Sequence, residues 1–430
     1  MKKNKLYTIS ILIILIIFFG GIYKFIFTPK KVTLTLGIQE GSSWGVPQGK
    51  ENKVIDDAIR RFEKENPGIE IEYESGIRKT DYSDWLSNKL LKGEQPDIFL
   101  VPDKDFNLLA SIGALKNLDS SIDKYIDPTD YYNVAFDAGK YENSQYALPF
   151  ESNPMMMCIN KDLLEKSGYS IPKKNWSIEN FFNIIKSTTK DTNNDGTFDQ
   201  FGIVGYNWYY ATAAYNSNIF TKDKINLNTN QTRKAFNLIE DINTLTGNNK
   251  VSVEDFDKGK VVFRPMSMAE YRTYKPYPYH ISKYSRFEWT CVPMPSQTSK
   301  DQTTQVDTSL FAISARTKHV KQAWKFLKFL SNDKVTQQEL MNHSQGVSVL
   351  KSTMKSKETQ EILQKDNFGS NSLVSTTIDQ MMSSGFSTQK FKKYNLVYEE
   401  ADYLIKNSIE KGTLDFDIEN IEKRLNLLLK

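Results

Sequence analysis

"YALPFESNPMMMCINKDLLEKSG", residues 146–168, is the stretch on which the reading of this chain turns. Met155-Met156-Met157-Cys158-Ile159 is a continuous apolar run and reads as a strand. Asn160-Lys161-Asp162 follows and opens a short helix. The chain reaches that strand through Tyr146-Ala147-Leu148-Pro149, so a second structural unit begins near Phe150.

Upstream of it, strands and helices alternate. Val32-Thr33-Leu34-Thr35-Leu36-Gly37-Ile38 has the two-residue period of a half-buried strand. Apolar residues at 54, 55, 58, 59 and 62 mark one face of a helix over 51–66, which Pro67-Gly68 ends. Ile69, Ile71 and Tyr73 alternate again. A second helix takes Asp81 as its N-cap, buries Trp85, Leu86, Leu90 and Leu91, and stops at Gly93. Asp97-Ile98-Phe99-Leu100-Val101 is an apolar strand, and 106–112 is a third helix. Strand, helix, strand, helix, strand predicts parallel pairing with right-handed crossovers. Open parallel sheets bind ligands at the carboxyl ends of their strands, here the loops Gln39–Trp44 and Pro102–Asp105.

Downstream, Ser177 caps a helix lined by Phe181, Phe182, Ile184 and Ile185. Strands follow at 201–204, 261–263, 289–292 and 310–313, then a helix over 320–330. The last hundred residues are helical, with core stripes at Leu396, Val397, Ala401, Leu404 and Ile405 and at Ile418, Ile421, Leu425 and Leu428.

The length, 430 residues, exceeds what one core fills. Apolar content of 39% and charged content of 25% describe a globular body, and a net charge of +4, spread out, leaves no nucleic-acid footprint. The first thirty residues differ. Met1-Lys2-Lys3-Asn4-Lys5 is basic, and Leu6 to Tyr23 is almost wholly apolar. That run reaches about the minimum for a membrane span, and no small-x-small cleavage site follows it. Residues 1–28 read as an uncleaved anchor, with a cleaved signal peptide as the alternative. The basic start stays inside and the body outside, at the extracellular face of the membrane, or secreted if cleavage occurs. Cys158 and Cys291 read as two small core residues; their spacing says nothing about pairing.

"DTNNDGTFDQFG", residues 191–202, has the spacing of a calcium loop: Asp191, Asn193, Asp195, the Thr197 carbonyl and Asp199 as ligands, with Gly196 at the turn. Gly202 stands where a calcium sensor has a bidentate Glu. The expectation is a structural calcium brace in the second unit; the alternative is an Asx-rich turn bonded to its own backbone.

Six stretches in order resemble a known family: AIRRFEKENPGIEIEYE (58–74), GEQPDIFLVPD (93–103), the opening stretch, NWSIENFFNIIKSTTKDTNNDGTFDQFGI (175–203), FDKGKVVF (256–263) and LFAISARTKHVKQAWKFLKFLSND (310–333). Over residues 32–355 the chain resembles an extracellular solute-binding protein of an ABC importer, of the maltose-binding-protein-like, sugar-binding group. The resemblance implies a two-lobed periplasmic-binding-protein-like α/β fold. Each lobe is an open, mainly parallel sheet flanked by helices, with a hinge between them. Lobe one would be 32–149 plus 306–348, and lobe two 150–305 plus 349–430. Crossings fall near Phe150–Asn153, Thr304–Thr308 and Gly346–Val349. Two departures stand out: no Cys for lipidation follows the apolar run, and Cys158-Ile159 occupies a place where the family usually carries a Tyr.

A sugar presents apolar faces and a rim of hydroxyls, so its site needs aromatic platforms beside hydrogen-bonding groups. The candidates are Trp44 and Asp103 in the strand-end loops, Glu151 and Asn153 at a crossing, and Trp208 and Tyr209 in an aromatic cluster. Met266, Glu270 and Tyr271, beyond Phe263, complete the set. Arg272, Lys275 and the Tyr-rich loop around them suit an acidic or sulfated sugar instead. Of the three His, at 280, 319 and 343, none has metal-binding spacing, and no nucleophile or phosphate-loop motif is present. The expectation is a non-enzymatic, monomeric, membrane-tethered receptor. It closes on a carbohydrate, an oligosaccharide, and delivers it to the transmembrane subunits of an ABC permease. The rival is a sensory subunit on the same fold that signals bound sugar to a membrane kinase.

Overall fold

The computed structural model describes residues 31–46, 51–173, 176–247, 249–273, 287–298, 303–365 and 373–430. The N-terminal segment 1–28, Lys275, His280 and most of the Tyr-rich loop lie outside the described residues. Among the described residues no helix is long and apolar enough to cross a membrane.

The strands are β1 (Val32–Gly37), β2 (Ile69–Tyr73), β3 (Ile98–Val101), the hairpin β4 (Lys140–Tyr141) and β5 (Ser144–Gln145), β6 (Ala147–Asn160), β7 (Phe201–Ile203), β8 (Val261–Ser267), β9 (Trp289–Val292), β10 (Val306–Ile313) and β11 (Val347–Ser348). Their order is β2-β1-β3-β10-β6-β8-β7, with β9 and β11 also on β6. The parallel pairings expected from the strand–helix alternation are β2-β1-β3, and β7 adds another with β8. Strands that cross or flank the crossing, β10, β11, β8 and β9, run antiparallel to β6.

The opening stretch forms the 14-residue strand β6, about 45 Å long at the rise of an extended chain. Its first half, through Pro154, pairs with β10; from Met155 onward it pairs with β8 and β9. The prolines sit where a missing N–H costs nothing: Pro149 at the register shift opposite Leu310, and Pro154 where the partners change. The two halves of the molecule are thus two sheets threaded by one strand. Helices Glu51–Glu65 and Val320–Asn332 cover the first through Phe62, Phe326 and Leu327; helices Ile178–Thr188, Asn230–Thr246 and Tyr394–Lys411 cover the second through Phe181, Phe236 and Val397. Cys158 and Cys291 are buried free thiols on facing positions of β6 and β9.

Local signals hold with small corrections. Ser177 caps its helix, accepting from Asn180 N at 3.0 Å, and Gly93 ends its helix in the left-handed conformation. That helix starts at Lys79 rather than after Asp81, whose carboxylate binds Arg78 instead, and Leu91 is 86% exposed.

The expected lobe boundary at 349 is corrected. Residues 349–365 and 373–383 stay on the first half. Tyr132 N donates to Val349 O at 3.1 Å and Tyr132 Oη to Asp379 at 2.7 Å, and Met381 and Met382 join the core cluster of Phe326 and Leu340. The reason is β11, which adds to β6 at Glu151 and Ser152 instead of crossing. The third crossing comes later, where Phe386 N–H and C=O bond Thr304 and Val306. Only the last two helices, Tyr394–Lys411 and Leu414–Leu429, pack on the second half, through Asp402 to Trp208 and Glu422 to the backbone of Leu227.

Glu151 lies under this hinge. Its carboxylate accepts from Gly346 N at 2.5 Å and from Ser344 Oγ. A β-carbon on Gly346 would stand 2.3 Å from Glu151 Oε1. Gly346→Ala should therefore destabilise the fold by about 1–3 kcal/mol, the usual cost of overpacking, read as a lower midpoint in urea with an unchanged slope.

Candidate functional site

All three crossings meet at a cavity of about 330 Å³ between the halves. From the first half come Trp44 after β1, Lys79 at the start of its helix, and Asp103 after β3. From the crossings come Asn153, Asp307 and Lys390. From the second half come Tyr209, at the start of helix Trp208–Ala214, and Tyr394 and Tyr398, one turn apart on helix Tyr394–Lys411. The tyrosines form one aromatic wall. Tyr209 meets Tyr398 edge-on at 5.3 Å, Tyr394 and Tyr398 lie nearly parallel at 5.9 Å, and the hydroxyls of Tyr209 and Tyr394 are 3.4 Å apart. Across the mouth, Lys104 pairs with Glu399 and Asn107 Nδ2 donates to Gln389 O at 3.2 Å, so the two halves touch over the cavity.

The charges around the cavity are balanced, two carboxylates to two ammonium groups. Lys79 Nζ lies 3.5 Å from Asp103 Oδ2. The Asp103 side chain is 61% exposed, so solvent as well as Lys79 moderates the rise that its surroundings impose on its carboxyl. Asp307 faces the open space of the cavity but is ringed by protein elsewhere. That enclosure raises its carboxyl, the Gln305 amide at 2.9 Å opposes the rise, and the nearby Asp103 charge adds to it. Burial lowers the Lys390 ammonium to about 8, with Asp307 pulling the other way. A lining of rings, two carboxylates, two ammonium groups and an amide can stack on an apolar ring face while donating to and accepting from its hydroxyls.

Of the candidate residues, the structure brings Trp44, Asp103, Asn153 and Tyr209 to this cavity. Glu151 lies behind it, fully enclosed in the hinge, where burial raises its carboxyl and Ser344, Trp44 and Gly346 hold it down. Trp208 is a core residue, 1% exposed, with Nε1 on Asp402 at 2.9 Å. One residue along a helix is a rotation of about 100°, so Tyr209 faces the cavity while Trp208 faces the core. Met266 and Tyr271 are buried too, because β8 runs on to Ser267 and carries Met266 inward. Tyr271 packs edge-on against Trp289 at 5.4 Å. Glu270 accepts from Ser267 N at 2.7 Å and from Arg264 at 3.1 Å, closing the turn into helix Met268–Thr273. Arg272, expected for an acidic sugar, donates to Gly346 O and Met341 O across the hinge. Lys79, Asp307, Lys390, Tyr394 and Tyr398 were not anticipated. Asp307 carried a signal, as the one charged residue of the Thr304–Thr308 crossing.

The 191–202 loop lies apart from the cavity. Its carboxylates are taken up by its own backbone: Asp191 accepts from the N–H of Asn193, Asp195 and Gly196, Asp195 from Thr197 N, and Asp199 from Thr192 N. Among the described residues no group of three or more His, Cys, Asp or Glu side chains is placed to hold a metal. Gly202 is glycine for packing: a β-carbon there would stand 2.5 Å from Ile185 Cα. In this arrangement the loop's side-chain oxygens accept from its own N–H groups, as in an Asx-rich turn.

The fold and cleft define a two-lobed receptor for a solute. The family model for the bacterial extracellular solute-binding proteins matches residues 57–366, and the chain belongs to that family. Several solved structures share the fold. One is an ABC substrate-binding protein of Listeria monocytogenes in complex with cycloalternan (18% identical, 92% of this chain and 98% of that chain covered, TM-score 0.69). Another is the sugar-binding protein MalE of Xanthomonas citri (17%, 93% and 97%, 0.76). A third is the cyclic α-maltosyl-1,6-maltose binding protein of Arthrobacter globiformis (14%, 93% and 99%, 0.74).

Two measurements test the site and the loop. Because the folded pKa of Asp307 is raised, the folded state loses stability as pH climbs from the unfolded carboxyl value, about 3.9, through the folded one. Asp307→Asn should raise Tm at neutral pH, with the gain fading as pH falls toward 3.9. It should also lower the Lys390 pKa below about 8, seen by NMR. For the loop, a fall in Tm on adding a chelator would support the calcium brace, whereas an unchanged Tm with Asp191→Ala costing about 1 kcal/mol, as lost Asx caps do, would support the Asx-rich turn. A rise in Tm on adding calcium would also support the brace.

Proposed function

We propose that this protein is a membrane-tethered extracellular receptor that closes its lobes on a carbohydrate and hands it to an ABC permease. The observation that carries the reading is the cleft cavity, where Trp44 and the Tyr209–Tyr394–Tyr398 wall stand beside Asp103, Asp307, Lys79 and Lys390. Rings that can stack on sugar faces next to charged hydrogen-bonding groups suit a polyhydroxylated ligand. The balance of two carboxylates against two ammonium groups favours a neutral sugar over an acidic one.

An oligosaccharide fits better than a monosaccharide. A second cavity of about 330 Å³ shares Lys79 and Asp103 with the first and reaches Gln39 and Ser83. A third, about 250 Å³, shares Tyr209 and Ser387 and reaches Asn216 and Asn218. The three adjoin as a row that takes a chain of units. Proteins of the same fold that bind cycloalternan and cyclic maltosyl-maltose support this class of ligand. Closure buries the ligand and shifts the population of lobe orientations, and a permease that engages both lobes reads that shift. The apolar run at Leu6–Tyr23 supports the tether. The body acts as a monomer.

A thermal-shift screen over neutral oligosaccharides should find one that raises Tm, and mass spectrometry should recover it intact from the complex. Trp44→Ala and Tyr209→Ala should each weaken its binding about tenfold or more, and Tyr209→Ala should also lower the ligand-free Tm, because its ring packs on Trp208, Phe386 and Tyr398. Cleavage of the bound glycan would turn the assignment to a hydrolase, and the absence of any shift across the panel would remove the sugar.

A further inference from the structure

A groove of about 690 Å³ lies on the outer face of the first half, away from the cleft. Phe62 and Trp324 form its floor; Phe329 and Tyr125, the latter 48% exposed, stand at its rim. Lys321, Lys325 and Lys328 follow each other along the groove at the spacing of one helix face. None of the three forms an ion pair among the described residues. The one carboxylate in the lining, Asp333, is neutralised by Arg61 at 2.7 Å.

The groove sits beside the point where the chain enters the fold. Asn66 lines one end of it, and two residues on, Gly68 O accepts from Val32 N at 2.9 Å. Eight residues, 24–31, separate Val32 from the apolar run that ends at Tyr23. A chain that short spans at most about 32 Å. With the run in a bilayer, this end of the first half is held close to the lipid surface.

We propose that the groove is a docking surface for an anionic lipid bilayer. The lysines meet the headgroups, and Tyr125 and Phe329 enter the interface, where amphipathic and aromatic side chains are favoured. The proposal rests on the tethered reading above and not on the identity of the sugar. Docking would lay the first half on the membrane and leave the second half to move during closure.

The test uses the full chain in nanodiscs of phosphatidylcholine alone or of an equal mixture with phosphatidylglycerol. Acetylation of Lys321 and Lys328 is followed by mass spectrometry, with Lys222, on the other half, as the control. Labelling of the pair should slow about tenfold in the anionic discs relative to the neutral ones, and recover in high salt. Lys325→Glu should abolish most of the difference at the two neighbouring lysines. Equal labelling in both discs overturns the proposal. So does protection that persists in detergent without lipid, which would place the N-terminal run or a second copy of the chain in the groove. If the full chain does not travel with the discs, the tether falls and the proposal with it. Sugar binding, measured on the same samples, reports separately on the cleft.

Discussion

A strand buried on both faces and both edges must have every N–H and C=O paired, and β6 is buried along nearly all of its 14 residues. No single sheet in this chain is long enough to satisfy it. The first half is covered by β10 and β11, the second by β8 and β9, and the partners change at Asn153-Pro154-Met155. Relative motion of the halves must therefore be a twist of a paired strand. It concentrates at Pro154, which has no donor to lose, and at the two segments that run beside it, Thr304–Val306 and the stretch around Phe386. The hinge is where pairing changes hands, and the cavity lies there because all three segments converge on it.

That placement decides what the cavity contains. Asp307 and Lys390 come from crossing segments, so their separation from Asp103 and Lys79, which belong to the first half, is set by the lobe angle. Enclosed charges are unfavourable unless compensated. Asp103 and Asp307 keep an exposed side toward the cavity, whereas Lys390 is half-buried, its ammonium is lowered to about 8, and it is the group left short of partners. Hydroxyl groups of a ligand would supply the missing partners. The same incompleteness that costs stability without a ligand is thus a source of affinity with one, as ligand sites commonly trade one for the other.

Much of the architecture was legible because local signals agree with it. The alternation in β1 and β2, the cap at Ser177 and the stop at Gly93 each carry a local physical cause. So does the apolar run at 155–159, though its extension upstream into a crossing strand shows only in the pairing. The strand-end rule, which depends on topology alone, singled out Trp44 and Asp103, and both line the cavity. Trp208 and Tyr209 show the limit. Both are aromatic and adjacent, and only the phase of the helix, fixed by Asn207 capping Tyr209 and Tyr210 N–H, decides which one faces the cavity. Tyr394 and Tyr398 share a face one turn apart, but nothing in a C-terminal helix says that the face meets a cleft. The third crossing was misplaced because β11 is only two residues long, and a chain that adds a short strand to β6 has no composition to distinguish it from one that passes over.

Glu151 ties these threads together. It was expected to touch a ligand and instead sits beneath the cavity, on the strand that carries the hinge. Ser344 and the N–H of Gly346 hold its Oε1, and Arg272 reaches over from the second half to the carbonyls of Met341 and Gly346. Trp44 helps to offset the enclosed charge, although its Nε1 and Glu151 Oε2 form no hydrogen bond of good geometry. The aromatic platform at the front of the cavity thus leans on a carboxylate whose other contacts belong to the hinge and to the opposite half. A change in lobe angle that moves Arg272 alters the field at Glu151 and with it the support under Trp44. Glu151 lines no part of the cavity and reaches it only through Trp44, so its buried carboxylate belongs to the hinge.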